Sequence, residues 1–92
     1  MFMRITRTQV DSSRFDEVMA MGKDVIAAAK TLPGFQSAYI GGDRSSGRGA
    51  IVTIWDTREH AQFDRAAVGD VVTRAQDLGV RMEAPEIFEL SE

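Results

Sequence analysis

The chain holds one tryptophan, one histidine and one tyrosine, and these are the side chains best equipped to do chemistry. Trp55 closes an apolar strand. Its indole can wall a pocket and donate its N–H to a substrate oxygen, or it can simply fill the core where strand meets helix. His60 titrates near neutral pH and can act as a general base. A lone histidine early in an amphipathic helix is more often a surface or satisfied core residue, and no neighbour in the sequence is an evident carboxylate to orient it. Tyr39 precedes a glycine-rich loop, where its hydroxyl can bond a phenolic substrate or face solvent.

Other residues bear on the shape of a site. Gly22 falls in the middle of an apolar helix face, where glycine costs up to ~1 kcal/mol relative to alanine. It either leaves room for a ligand or lets helix and sheet approach closely, and close packing is the commoner reason. Met19 and Met21 are adaptable fillers that suit a cavity wall or a core equally. The run Gly41 to Gly49 joins two strands, whereas a phosphate-binding loop needs Gly-Lys-Ser/Thr opening a helix. It reads as a mobile hairpin, a lid. With one histidine, no cysteine and no carboxylate cluster at ligand spacing, no metal site is expected.

These residues need elements to hold them. Residues 2–10 form a first strand, with β-branched Ile5, Thr6, Thr8 and Val10. Period two places Arg4 and Arg7 on opposite faces. Ser13 is a candidate N-cap, with Asp16 completing a capping-box-like start. A helix then places Phe15, Val18, Met19, Gly22, Val25, Ile26 and Ala29 along one side. It must stop near Thr31 or Leu32, because Pro33 disfavours helical geometry before it, and Gly34 supplies the turn. A second strand covers 35–40, with Phe35 and Tyr39 on one face and Ala38 and Ile40 on the other. A third covers 51–55, apolar on both faces apart from Thr53. Asp56 or Thr57 caps the next helix, which carries His60, Phe63 and Ala66 or Ala67 inward. Gly69-Asp70 marks a break. Val68, Val71, Val72, Ala75 and Leu78 resume helical spacing until Gly79. Pro85 enters a last strand over 86–90.

The order is β-α-β-β-α-β in 92 residues, one domain spanning 1–92. That predicts an α+β, ferredoxin-like fold, an antiparallel four-stranded sheet with both helices on one face. Crossover handedness puts the first and third strands at its centre. A net charge of -3 gives no reason to bind nucleic acid or an anionic membrane. The order is shared with RNA-binding modules, but Arg48-Gly49-Ala50-Ile51 lacks the aromatics such a module stacks on bases. Met1-Phe2-Met3-Arg4 is not a signal peptide, and no apolar run approaches the ~18 residues of a membrane helix, so a cytoplasmic protein is expected. Both parities of the central strands are apolar, for example Val52 and Ile54 against Ile51 and Trp55. Helices cover only one side, so a second copy packed sheet to sheet is expected to cover the other.

Two segments carry a family resemblance: Leu32-Pro33-Gly34-Phe35, and Val52-Thr53-Ile54-Trp55-Asp56-Thr57-Arg58-Glu59-His60-Ala61. The chain resembles the antibiotic biosynthesis monooxygenase-like group of the dimeric α+β barrel superfamily across nearly its whole length. The motifs are short and mostly structural. The resemblance implies a homodimer that oxidises a small aromatic substrate (a quinol, anthrone or polyphenol) with molecular oxygen and no cofactor. Trp55 would hold the substrate, His60 or Tyr39 would assist proton transfer, and Phe15, Met19 and Phe63 would supply apolar walls. Haem degradation on this fold uses an asparagine on the first strand and a histidine one helix beyond the tryptophan. This chain has no asparagine, and Arg65 stands near that histidine's place. The alternative is a non-catalytic dimeric module of the same fold that binds a small apolar molecule.

Overall fold

The computed structural model describes residues 1–63 and 71–91. The expectations placed on Arg65, on Ala66 or Ala67, on Val68 and on a break at Gly69-Asp70 lie outside the described residues, as do the side chains of Val71 and Val72.

Strand β1 (Phe2–Gln9) runs through the middle of the sheet. A 3-10 turn, Ser12–Arg14, leads into helix α1 (Phe15–Ala29). Strands β2 (Phe35–Gly42) and β3 (Arg48–Trp55) form a hairpin. Helices α2 (Arg58–Ala61) and α3 (Val71–Asp77) follow, then strands β4 (Arg81–Met82) and β5 (Glu86–Glu89). The strand order is β2-β3-β1-β4, with β5 also paired to β1, and every pairing is antiparallel. The first and third strands are central, as expected, and the fold is α+β and ferredoxin-like. The sheet has five strands rather than four. The extra one, β4, pairs only Arg81 and Met82 with Gln9 and Thr8, too short to show alternation in sequence.

Three local expectations are corrected. Ser13 does not cap α1: Asp11 caps the 3-10 turn before it, its carboxylate accepting both the Ser13 N–H (2.9 Å) and hydroxyl (2.8 Å), and Arg14, at the start of α1, makes no side-chain cap bond. These bonds, the backbone one foremost, hold the Asp11 carboxyl below its ordinary value. Second, Phe35 does not share a face with Tyr39. A bulge between Phe35 and Ser37 absorbs one residue, so Phe35 pairs with Trp55 while Tyr39 turns to the opposite face. Third, the glycine-rich run is strand at both ends. Gly41, Gly42, Arg48 and Gly49 are ladder residues, leaving a loop of 43–47. That loop is tied down: Asp43 accepts from Ser45 N–H (3.0 Å) and hydroxyl (2.8 Å), Gln9 donates to the Ser46 carbonyl (2.8 Å), and Val10 N–H to the Gly47 carbonyl (3.0 Å).

The apolar face chosen for α1 packs on the sheet: Phe15, Gly22 and Ala29 are buried, with Val18, Met19, Val25 and Ile26 half-buried. Two clusters bracket this interface. At one end Val10, Met21, Ala75 and Val80 join Val18, Val25, Leu78 and Met82. At the other, Ala29, Trp55 and Ala61 join Phe2, Leu32, Phe35, Phe63 and Ile87. The sheet's far side carries Met3, Ile5, Ala50, Val52 and Ile54, all half-buried, flanked by Tyr39 and Phe88 at 64% and 43% exposure.

Candidate small-molecule cavity

Along β3 the side chains facing the helices are Trp55, Thr53, Ile51 and Gly49. The row starts at the largest side chain and ends at glycine, which has none. On β2 the same face runs Ala38, Ile40, Gly42, and on β1 Phe2, Arg4, Thr6, Thr8. One end is therefore filled and the other left hollow beneath α1. A cavity of about 100 Å³ results. Phe15, Val18, Met19 and Gly22 of α1 roof it; Ile40, Ile51 and Met82 line its walls, and Arg4, Thr6, Thr8 and Thr53 give it a polar floor.

Glycine at position 22 marks a close approach: a β-carbon there would collide with the end of the Ile40 side chain, which would have to turn aside. With no β-carbon at Gly22, the Ile40 side chain sits in the space the glycine leaves. Phe15 closes one end of the cavity. Its ring packs against Gly42, and the Arg44 guanidinium lies 4.8 Å from the ring centroid. Arg44 in turn pairs with Asp16 at 2.8 Å, and this hydrogen bond holds the Asp16 carboxyl below its ordinary value.

Phe63 closes the other end. It stacks at a tilt on Trp55, centroids 5.1 Å apart, and carries the Arg4 guanidinium 4.1 Å above its ring. Arg4 Nη1 also donates to the Ala61 (2.9 Å) and Phe63 (3.3 Å) carbonyls, which ties the chain after α2 to the sheet and holds a cation beside an apolar void.

Of the seven site residues read from the sequence, Phe15, Met19, Gly22 and Phe63 meet at this cavity, and Trp55, His60 and Tyr39 do not line it. Trp55 is fully buried behind Phe63, and its indole N–H is donated to the Thr53 hydroxyl at 2.8 Å. Tyr39 stands on the opposite face of the sheet. His60 lies on α2, whose start is capped by Thr57 through a 3.1 Å bond from the His60 backbone N–H. It does have an orienting carboxylate, one helical turn back: Nδ1 lies 2.6 Å from Asp56 Oδ1, and an ionised carboxylate can only accept, so the ring N–H donates. That bond holds the Asp56 carboxyl below its ordinary value of 3.8. Gly34, at φ 81°, presses its backbone against this pair, and a β-carbon there would strike both partners.

Sequence reasoning missed the polar floor. The signal was there: Arg4, Thr6 and Thr8 share the parity of Phe2, and Thr53 stands alone between Ile51 and Trp55. Among the described residues, no three of His, Cys, Asp and Glu gather as metal ligands, and no helix is long and apolar enough to cross a membrane.

Protein-family models gave no match to the sequence, and neither did curated protein sequences. Solved structures did. A protein from Deinococcus radiodurans, provisionally assigned as an antibiotic biosynthesis monooxygenase, superposes with a TM-score of 0.79 at 16% identity, over 100% of this chain and 94% of that one. The chain has the fold of the antibiotic biosynthesis monooxygenases. SnoaB from Streptomyces nogalater, a cofactor-independent oxygenase, gives a TM-score of 0.69 at 15% identity over 99% of this chain and 93% of its own. HapK from Hahella chejuensis gives 0.77 at 13% identity over 99% and 93%. Across the antibiotic biosynthesis monooxygenase fold these identities carry architecture, and the chemistry must be argued from the cavity.

Proposed function

We propose that the protein binds a small aromatic molecule between α1 and the sheet and promotes its oxidation by molecular oxygen without a cofactor, working as a homodimer. The carrying observation is the cavity itself: a mostly apolar lining over a floor of Arg4, Thr6, Thr8 and Thr53, on a fold that SnoaB, a cofactor-independent oxygenase, shares. A bound quinol near Arg4 is favoured as its anion, because a nearby cation stabilises the ionised form. The anion is electron-rich enough to reduce oxygen. One oxygen atom enters the ring, the other leaves as water, and the ring reaches the hydroxyquinone level. Apolar walls keep bulk water from the reactive intermediate. The apolar far face, from Met3 and Ile5 to Val52 and Ile54, supports packing against a second copy.

The test is oxygen uptake with a panel of quinols and anthrones, comparing wild type with Met19→Phe, which crowds the cavity, and His60→Ala, which leaves it alone. Uptake with at least one substrate, abolished in the first variant and kept in the second, is the expected result. Absence of uptake across the panel contradicts it. A second reading, a non-catalytic binding module, is favoured by one observation: the described cavity-lining residues include no His, Asp, Glu or Tyr to serve as a base. Binding of the panel without turnover supports that reading.

A further inference from the structure

Thr53 is 3% exposed, the one polar residue among the buried described ones. A hydroxyl offers one donor and two acceptor sites. Trp55 Nε1 fills one acceptor site at 2.8 Å. Among the described residues nothing receives the hydroxyl's own proton. A buried donor left unmade is costly, and such groups in native proteins usually have a partner. Thr53 lines the cavity, directly opposite Arg4 in the β1–β3 register.

Resting on the binding site read above, we propose that the cavity takes a single-ring aromatic ligand bearing an acceptor oxygen, and that the Thr53 hydroxyl is the donor that holds it. Trp55 is a positioning residue. Its N–H fixes the hydroxyl by occupying one lone pair, which turns the proton away from the indole, and hydrogen bonds in such a chain polarise one another. The indole acts on the ligand through Thr53 rather than by touching it. Size sets the ring count. About 100 Å³ is of the same order as the ~150 Å³ of a cavity known to admit benzene and well under the ~300–1,000 Å³ of pockets for drug-sized ligands. Ile40, seated against Gly22, narrows the cavity on one wall.

Benzaldehyde and styrene test the anchor, because they differ chiefly in an acceptor oxygen, and 1-naphthaldehyde tests the size. Wild type binds benzaldehyde roughly fivefold more tightly than styrene, the value of about one net hydrogen bond. Thr53→Val brings that ratio to about one while styrene still binds, and Thr53→Ser restores it. The single indole N–H resonance of Trp55 gives a signature that a merely structural threonine would not. It shifts further with benzaldehyde than with styrene, although both rings exert similar ring currents. A ratio near one in wild type, or one that survives Thr53→Val, overturns the anchor. Naphthaldehyde binding as tightly as benzaldehyde overturns the size limit. Failure of the single-ring probes to bind while a quinol is still oxidised overturns this inference and spares the proposed function. Failure of both binding and oxidation removes the site itself.

Discussion

The two ends of the α1–sheet interface are built from the same face of the same strands, yet one packs solid around Trp55 while the other, beside the cluster of Val10, Met21, Ala75 and Val80, holds a cavity. At the solid end Trp55 is fully buried, edge-on to Phe35 at 5.7 Å and tilted on Phe63 at 5.1 Å. At the hollow end Gly42, Gly49 and Thr8 leave space that Phe15 and Met19 roof without filling. The difference lies in the two ends of the helix-facing row on β3, Trp55 at one and Gly49 at the other. A close-packed end fixes where the helix sits, and a void can then persist beside it because the backbone is already held. Stability is expected to reside at one end and binding at the other.

Truncating the solid end is the strongest way to break this contrast. Trp55→Ala removes the largest buried side chain and is expected to cost ~3–5 kcal/mol, a large share of a typical stability of ~5–15 kcal/mol. Urea denaturation measures it, and a loss below ~1 kcal/mol would contradict the division of labour.

Gly22→Ala comes next. Alanine is ordinarily favoured over glycine in a helix by about 1 kcal/mol, but here the new methyl meets Ile40. Overpacking is expected to win, with a net loss of ~1–2 kcal/mol, and Ile40→Val added to it should recover part of the loss. A stabilised Gly22→Ala protein would mean that α1 does not need its close approach to β2.

Filling the hollow end should do the reverse of truncating the solid one. Met19→Phe is expected to change stability by less than ~1.5 kcal/mol while abolishing binding of single-ring aromatics, read by calorimetric titration. Unchanged binding would place the ligand elsewhere.

The smallest effect is expected outside both ends, at the exposed Asp56–His60 pair. Because the folded carboxyl is held below 3.8, its contribution is present above that pH and is lost as pH falls through the lowered value. Asp56→Asn should therefore lower the urea midpoint slightly at neutral pH, and the two proteins should converge once pH has fallen past the lowered value. A gap that persists in strong acid would show that Asp56 acts through something other than its charge.

The contrast also shows what a sequence can reveal. Periodicity read α1's buried face from Phe15 to Ala29 except for Met21, because a 3.6-residue repeat needs no knowledge of the partner surface. Strand order followed from crossover handedness. The parity of Phe35 was misread because a bulge costs one residue and leaves no mark in composition. Asp11 was missed as a cap because Ser13 has equal capping chemistry, and only geometry shows which oxygen accepts. Attention went to Trp55, His60 and Tyr39, the conspicuous chemical groups. The polar floor at Arg4 and Thr53 comes from strand register, a long-range property that alternation constrains but does not number.

The central claim is that ligands enter between α1 and the sheet rather than against the sheet's open face. Methyl-labelled protein titrated with benzaldehyde tests it in one spectrum. Perturbations are predicted at the methyl groups of Met19, Ile40, Ile51 and Thr53, with those of Met3, Val52 and Ile54 unmoved. Shifts confined to Met3, Val52 and Ile54 would contradict the account.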